Sequence, residues 1–284
     1  MKKQKNSSAW MALPLYIFTI VFVICPLLYV VALSFATPNR GYGVTWKFTL
    51  DNYKNILEPV YLNTSVESLK LALTSTAAIV LIGYPFGYFM AKLPEHRKKK
   101  AHLLLTLPFW VNSLIRLYGW IIILQKKGLL NFVLMKLGLI KKPLAILYSY
   151  PAIVVGMIYV LLPFMIMSVY SSAEKLDWSY VEAARDLGAS RVQAFFTVTL
   201  KLTLPGLLSG VILTFVPSMG LFFIADILGG NKIVLVGSLI QDQMTRGSNW
   251  PFAAALAVVM MVLTTVMIMI YRKVSNAREL EGIG

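Results

Sequence analysis

The sequence predicts an all-α membrane protein of six transmembrane helices with both termini on the cytoplasmic side. Three observations predict it. The 284 residues are 58% hydrophobic and only 14% charged, with a mean hydropathy of +0.71, whereas a soluble domain carries about one-quarter charged residues. The apolar residues gather into six runs of about 20, the length that crosses a hydrocarbon core. Between the runs, 15 Lys and Arg lie on the side of the N-terminus against 11 on the other side, whose segments are longer; short basic segments stay cytoplasmic. The formal net charge of +15 therefore reads as contact with anionic membrane lipid. Nucleic-acid binding needs basic residues collected on one soluble face, and here they are scattered.

In chain order, the first run is Trp10–Leu33, preceded by Lys2, Lys3 and Lys5. It is too long for the apolar part of a signal peptide and no small-residue cleavage site follows, so a retained span is expected. Its Cys25 is the lone cysteine and has no disulfide partner in the chain. The second run, Val66–Ala91, carries Gly83, Pro85 and Gly87, with Glu67 and Lys70 spaced to pair on one helix face. His96 and His102 flank a basic segment and read as solvated loop residues, without metal-ligand spacing. The third run is Leu103–Leu124, with Pro108 inside. After it, Leu130, Val133, Leu134 and Leu137 predict a short amphipathic helix ending at Gly138, lying on the outer surface. The fourth run is Pro151–Tyr170 with Pro163, the fifth Leu202–Ile224, and the sixth Phe252–Tyr271.

The fifth run holds Pro205, Gly206, Gly210, Pro217 and Gly220. Proline removes a backbone donor, and in lipid that loss is repaired by a neighbour or by water in a cavity. The concentration of such residues points to a helix that lines a path. No soluble repeat period is present, so residues 1–284 read as one transmembrane domain.

One stretch, "VEAARDLGAS", is polar in an apolar chain. Asp177 or Ser179 suits a helix N-cap, Glu182 complements the dipole of the first turn, Ala183 and Ala184 favour helix, and Gly188 suits the left-handed residue that closes one. Ser190 then caps a second helix running from Arg191 into the fifth span. A short helix over Trp178–Leu187, across the cytoplasmic mouth, is expected. Its small Ala face suits docking in a groove of another protein, or the helix simply lies at the membrane interface.

Glu182-Ala183-Ala184, three residues, then Gly188, followed by "QAFFTVTLKLTLPGLLSG", resembles the cytoplasmic coupling loop of permease subunits of binding-protein-dependent ABC importers. The resemblance implies a type I ABC importer permease fold and a coupling loop at about 174–200. It implies that Glu182, Ala183, Ala184, Arg185, Asp186 and Gly188 fit a cleft on an ATP-hydrolysing partner. It also implies two ATP-binding subunits, a second homologous permease and an extracytoplasmic substrate-binding protein. Lys201 stands where the family often has proline, which bears on the bend before the fifth span. "LPFWVNSLIRLYGW", "GYPFGYFMAKLP", "LLPFMIMSVYSSAEKLD" and "GLFFIADILGG" are similar to the first of the two permease subunits of spermidine/putrescine importers. A permease for another small solute, or a self-sufficient secondary transporter, are the alternatives.

Charged residues inside runs are expensive and face protein or a wet cavity. Arg116, midway along the third run and one turn after Asn112, reads as a gate or ion-pair residue. Asp226 follows Phe222 and Phe223; a carboxylate beside aromatic faces suits an alkylammonium, and it equally suits a partner for Arg116 or a helix end. Trp110, Tyr118 and Trp120 read as path lining or as an interfacial belt. No phosphate-cradling Gly-rich loop, nucleophile elbow or metal-protease helix is present, so no catalytic residue, cofactor or metal is expected and the energy must come from a partner.

Overall fold

The structure, a computed structural model, describes residues 13–39 and 43–281, with side chains through 273. Lys2, Lys3, Lys5 and the Trp10 start of the first run lie outside the described residues. Among the described residues, six helical stretches are long and apolar enough to cross a membrane: Leu13–Ser34, Pro59–Ala91, Ser113–Lys136, Tyr150–Glu174, Arg191–Gly220 and Trp250–Lys273. By internal contacts the chain forms two compact units, residues 1–63 with 239–265, and residues 64–238 with 266–284.

In the first unit, α1 (Leu13–Ser34) presents apolar side chains outward along most of its length, as a lipid-facing helix does. A two-residue hairpin follows, β1 (Thr37–Pro38) antiparallel to β2 (Val44–Thr45), then α2 (Asp51–Ile56). Buried Asn52 fastens this turn region. Its Nδ2 donates to the Ser34 carbonyl at 2.9 Å and the Ala36 carbonyl at 2.8 Å, satisfying backbone oxygens that the end of α1 leaves open. Ile56 packs with Leu239, Phe252, Ala255 and Leu256, where α12 (Trp250–Glu281) begins.

The second unit takes up α3 (Pro59–Ala91) from Thr64, α4 (Glu95–Thr106), α5 (Ser113–Leu124), α6 (Leu129–Lys136), α7 (Tyr150–Glu174), α8 (Ser179–Asp186), α9 (Arg191–Gly220) and α10 (Phe222–Gly229), and the start of α11 (Val236–Thr245). Its core is the crossing of α7 with α3 and α9. Met157, Leu161, Met165 and Val169 of α7 are buried with Leu71 and Ile79 of α3. Small residues let the backbones approach, as in membrane bundles generally. A Cβ on Gly87 would meet the Ile166 carbonyl at 2.7 Å, and one on Gly210 would meet the Met165 sulfur at 2.5 Å. Hydroxyls knit the same layers: the Tyr84 hydroxyl and Thr203 Oγ1 lie 2.8 Å apart, and Ser168 Oγ donates to the Gly206 carbonyl at 2.8 Å.

The structure corrects the sequence reading in three places. The run Leu103–Leu124 is not one helix: α4 ends at Thr106, a single 3-10 turn spans Leu107–Trp110, Val111 is extended, and α5 starts at Ser113. Pro108 supplies no donor to the α4 ladder. Asn112 turns its side chain back to accept from the Leu114 N–H at 2.8 Å, starting a new helix. Arg116 consequently sits in the first turn of α5, not at mid-span, and α6, which closes at Gly138 (φ +70°), continues the stretch Ser113–Lys136. The fifth run also breaks. Leu221 leaves the helical region (ψ 58°) after Pro217 and Gly220, so Phe222, Phe223 and Asp226 belong to separate α10. Finally, His96 and His102 are on α4, and the His102 ring stands edge-on to Tyr170 with centroids 4.7 Å apart. The basic segment between them forms helix because Lys and Arg are good helix formers.

Candidate functional site

The polar stretch folds as a self-contained hairpin. Asp177 Oδ1 accepts from the Ser179 N–H at 3.0 Å, opening α8 over Ser179–Asp186. That amide and the Ser179 hydroxyl hold the Asp177 carboxyl below the usual carboxylate range. At the other end, the N–H groups of Leu187, Gly188 and Ala189 donate back to Ala183, Arg185 and Ala184 carbonyls at 3.0, 3.0 and 3.1 Å, satisfying the last carbonyls of the helix. Gly188 has φ +91° and open space where a Cβ would stand, so the backbone angle alone demands glycine. Ser190 and Gln193 complete a capping box at the start of α9. A short π segment, Phe195–Thr199, follows before the regular part of α9.

Glu182, Ala183, Arg185, Asp186 and Gly188 are exposed and Ala184 is half-buried. No residue of α8 is buried, and Leu187, which ends it, is 89% exposed. Tyr180, Val192 and Phe196 are exposed beside it. An isolated eight-residue helix is marginal in water, so the caps and the turn hold α8 in shape. The helix thus presents a mostly exposed surface with apolar residues at its rim.

Beside the hairpin, a cavity of about 950 Å³ opens between α7 and α9. Its walls include Ser168, Ser171, Ser172 and Ser209, Pro205 and Gly206, together with Asp177 and Tyr180. From the fifth span, Pro205, Gly206 and Ser209 line this cavity. The spacing of Ser168, Ser171 and Ser172 by three and four residues puts the α7 serines on one helix face, a signal present in the sequence.

A second cavity, about 440 Å³, gathers Tyr118, Tyr148, Asp226, Asn231 and Lys232. Ser238 Oγ donates to Asp226 Oδ1 at 3.1 Å. Tyr118 and Asp226 come together here. Phe222 and Phe223, whose rings are 6.3 Å apart, are on the same short helix but do not line the cavity, nor do Trp110 and Asn112. Tyr148 and Asn231 have φ of +62° and +57°, and no residue-type signal marked Tyr148 for that conformation. Arg116 sits among aromatic rings: its Cζ is 5.5 Å from the Tyr159 ring centre and 5.9 Å from Phe109, and its Nε is buried without a hydrogen-bond partner among the described residues. Among the described residues no cluster of three His, Cys, Asp or Glu is arranged to hold a metal ion.

Residues 6–279 match the family described as binding-protein-dependent transport system inner membrane component. The chain is 43% identical over 257 residues to the spermidine/putrescine transport system permease protein PotB of Escherichia coli (strain K12), covering 90% of this chain and 94% of that protein. It is 41% identical to the PotB of Haemophilus influenzae, over 90% of each chain. Among solved structures, a chain of a bacterial ABC transporter involved in import of the acidic polysaccharide alginate superposes with a TM-score of 0.72 at 16% identity, over 97% of this chain and 96% of that one. The inward-facing MetNI methionine ABC transporter gives a TM-score of 0.57 at 19% identity, over 78% and 98%. These likenesses show the ABC-importer permease fold. With a family match that spans nearly its whole length, an all-α architecture and six membrane-length helices, this chain belongs to the inner-membrane components of binding-protein-dependent transport systems.

Proposed function

We propose that this chain is the permease subunit through which an ATP-driven importer carries polyamines, spermidine and putrescine, across the bacterial inner membrane. The 43% identity to PotB over 90% of the chain supports the substrate class. The observation that carries the mechanism is α8: opened by Asp177, closed by the Gly188 turn, and with no residue buried. In this reading residues 1–284 act as one transmembrane domain with both termini cytoplasmic. Of two ATP-binding subunits that supply the hydrolysis, one docks on Glu182, Ala183, Ala184, Arg185, Asp186 and Gly188. A second homologous permease completes the path, and an extracytoplasmic binding protein delivers the substrate.

Closure of the ATP-binding subunits moves α8 as a lever, and the helices bearing the serine-lined cavity rock to switch access from one side to the other. Asp226 and Tyr118 meet an ammonium group in the second cavity, by charge and by the aromatic face. Phe222, Phe223, Trp110 and Asn112 shape the helix breaks around the path, and Arg116, fixed among aromatic rings, acts as a gate residue. The test is uptake of labelled spermidine, putrescine and an unrelated solute into cells lacking and regaining this protein, together with mild-detergent purification of the tagged chain. Polyamine uptake that returns with the protein, and an ATP-binding subunit that purifies with it, are expected. Rescue of another solute in place of polyamines, or a chain that purifies without an ATP-binding subunit, overturns the reading.

A further inference from the structure

The lever has no buried residue of its own, so what attaches it to the membrane helices decides whether its displacement reaches them. Its C-terminal connection is the chain itself. It runs through the Gly188 turn and then through the π segment Phe195–Thr199, where the helical ladder is widened and the buried Thr199 hydroxyl has no partner among the described residues. Its N-terminal end is held differently. Tyr84 and Tyr88 stand one turn apart on one face of α3, and Lys92 follows one turn later, just beyond the helix end. The Lys92 ammonium lies 4.4 Å from the centre of the Tyr88 ring and 4.6 Å from the centre of the Trp178 ring. The two rings meet edge-on at 5.8 Å. Tyr88 also contacts Phe195 at 5.8 Å, and Tyr84 contacts Phe195 at 5.9 Å. Lys92 takes part in no ion pair among the described residues, so its charge is directed to the two rings. The neighbouring tie, Lys98 to Glu174 at 3.1 Å, joins α4 to the end of α7 and leaves the lever untouched.

From this geometry we infer that Lys92, Tyr88 and Trp178 form a cation–aromatic clasp that fastens the near end of the lever to the second span, making Lys92 and Trp178 positioning residues of the coupling machinery. The inference rests on the reading of α8 as the ATPase-coupling helix. A cation over an aromatic face attracts without demanding a fixed hydrogen-bond angle. Such a contact survives rotation of the lever while resisting its separation, which a carboxylate partner at fixed distance would not allow. Through Phe195 the same cluster touches the entry of α9, so one push on α8 reaches α3 by ring contact and α9 by the chain.

The experiment uses the full transporter, with its ATP-binding subunits, second permease and binding protein, in liposomes. Spermidine uptake and ATP hydrolysis are measured side by side. Lys92→Met keeps the stem and removes the charge; Lys92→Arg keeps the charge; Trp178→Leu removes the ring. Uptake per ATP hydrolysed is expected to fall by about 3- to 10-fold in Lys92→Met and Trp178→Leu, the factor lost with one such contact, and to be held by Lys92→Arg. A part that only supported the fold would lower both activities together and leave the ratio alone. An unchanged ratio in Lys92→Met and Trp178→Leu overturns the clasp, as does an equal loss in Lys92→Arg. Gly188→Val is the control: if it lowers the ratio while Lys92→Met does not, the clasp alone is wrong; if neither lowers it, the coupling role of the loop is wrong too.

Discussion

The α8 hairpin and the crossing of α7 with α3 and α9 are near neighbours in sequence, yet they take their shape from opposite sources. The hairpin buries no residue in α8 and is built from caps, a turn and hydrogen bonds spanning two to five positions. The crossing is built from residues far apart in the chain, such as Gly87 packed against Ile166 and Tyr84 hydrogen-bonded to Thr203. The hairpin, with no buried residue in α8, draws its order from local chemistry. The crossing draws its order from close packing, because between helices in lipid there is no hydrophobic drive to replace it.

Four measurements sharpen or break this contrast, beginning with the largest effect. In Gly87→Val the new side chain meets the Ile166 backbone carbonyl, which has no rotamer to escape by. A loss of about 1–3 kcal/mol of stability is expected, read as a lower melting temperature in detergent, whereas Gly119→Ala, with open space around its Cβ, should melt like the parent. Equal melting of both variants would break the contrast at its packed end.

In Gly188→Val the new Cβ has open space, so the main cost is the left-handed backbone angle, about 1–2 kcal/mol confined to the turn. Global melting should hardly move while polyamine uptake falls and ATP hydrolysis continues. Smaller still is Ser190→Ala, which removes half of the capping box and about 1 kcal/mol from the start of α9. Amide exchange at Gln193 should quicken, and Ser190→Thr should restore its protection.

The smallest effect is set by pH. Hydrogen bonds from Ser179 hold the Asp177 pKa down, so the folded cap favours the charged carboxylate. Its contribution is complete above the ordinary carboxylate pKa, near 4, and disappears as pH falls through the lowered folded value. Exchange at the first amides of α8 should therefore accelerate only in acid, and Asp177→Asn should flatten that dependence. A hairpin whose exchange ignored acid would draw its order from contacts other than the Asp177 cap.

The hairpin was legible in advance because every residue that shapes it is its own signal. Asp177, Gly188 and Ser190 each act on backbone groups within a few positions, and the helix they bound appears over Ser179–Asp186. The apolar runs were legible for the same reason: length and hydropathy are local quantities, and six membrane-length helices are found. The breaks were harder. Pro108 and Pro217 each permit either a kink inside a continuous helix or its end. Only the surroundings chose, with Asn112 capping a new start in one case and Leu221 leaving the helical region in the other.

By itself, the sequence determined the class of protein, the number of crossings, the capped hairpin and its likeness to a coupling loop, since each follows from residue type and short spacing. The tertiary structure alone decided which polar residues meet: Tyr118 with Asp226, Arg116 with Phe109 and Tyr159, Lys92 with Trp178. Those meetings depend on how α3, α5, α7 and α10 are placed against one another. That placement is set by small residues and shape over long separations, for which a single chain of letters carries no local mark.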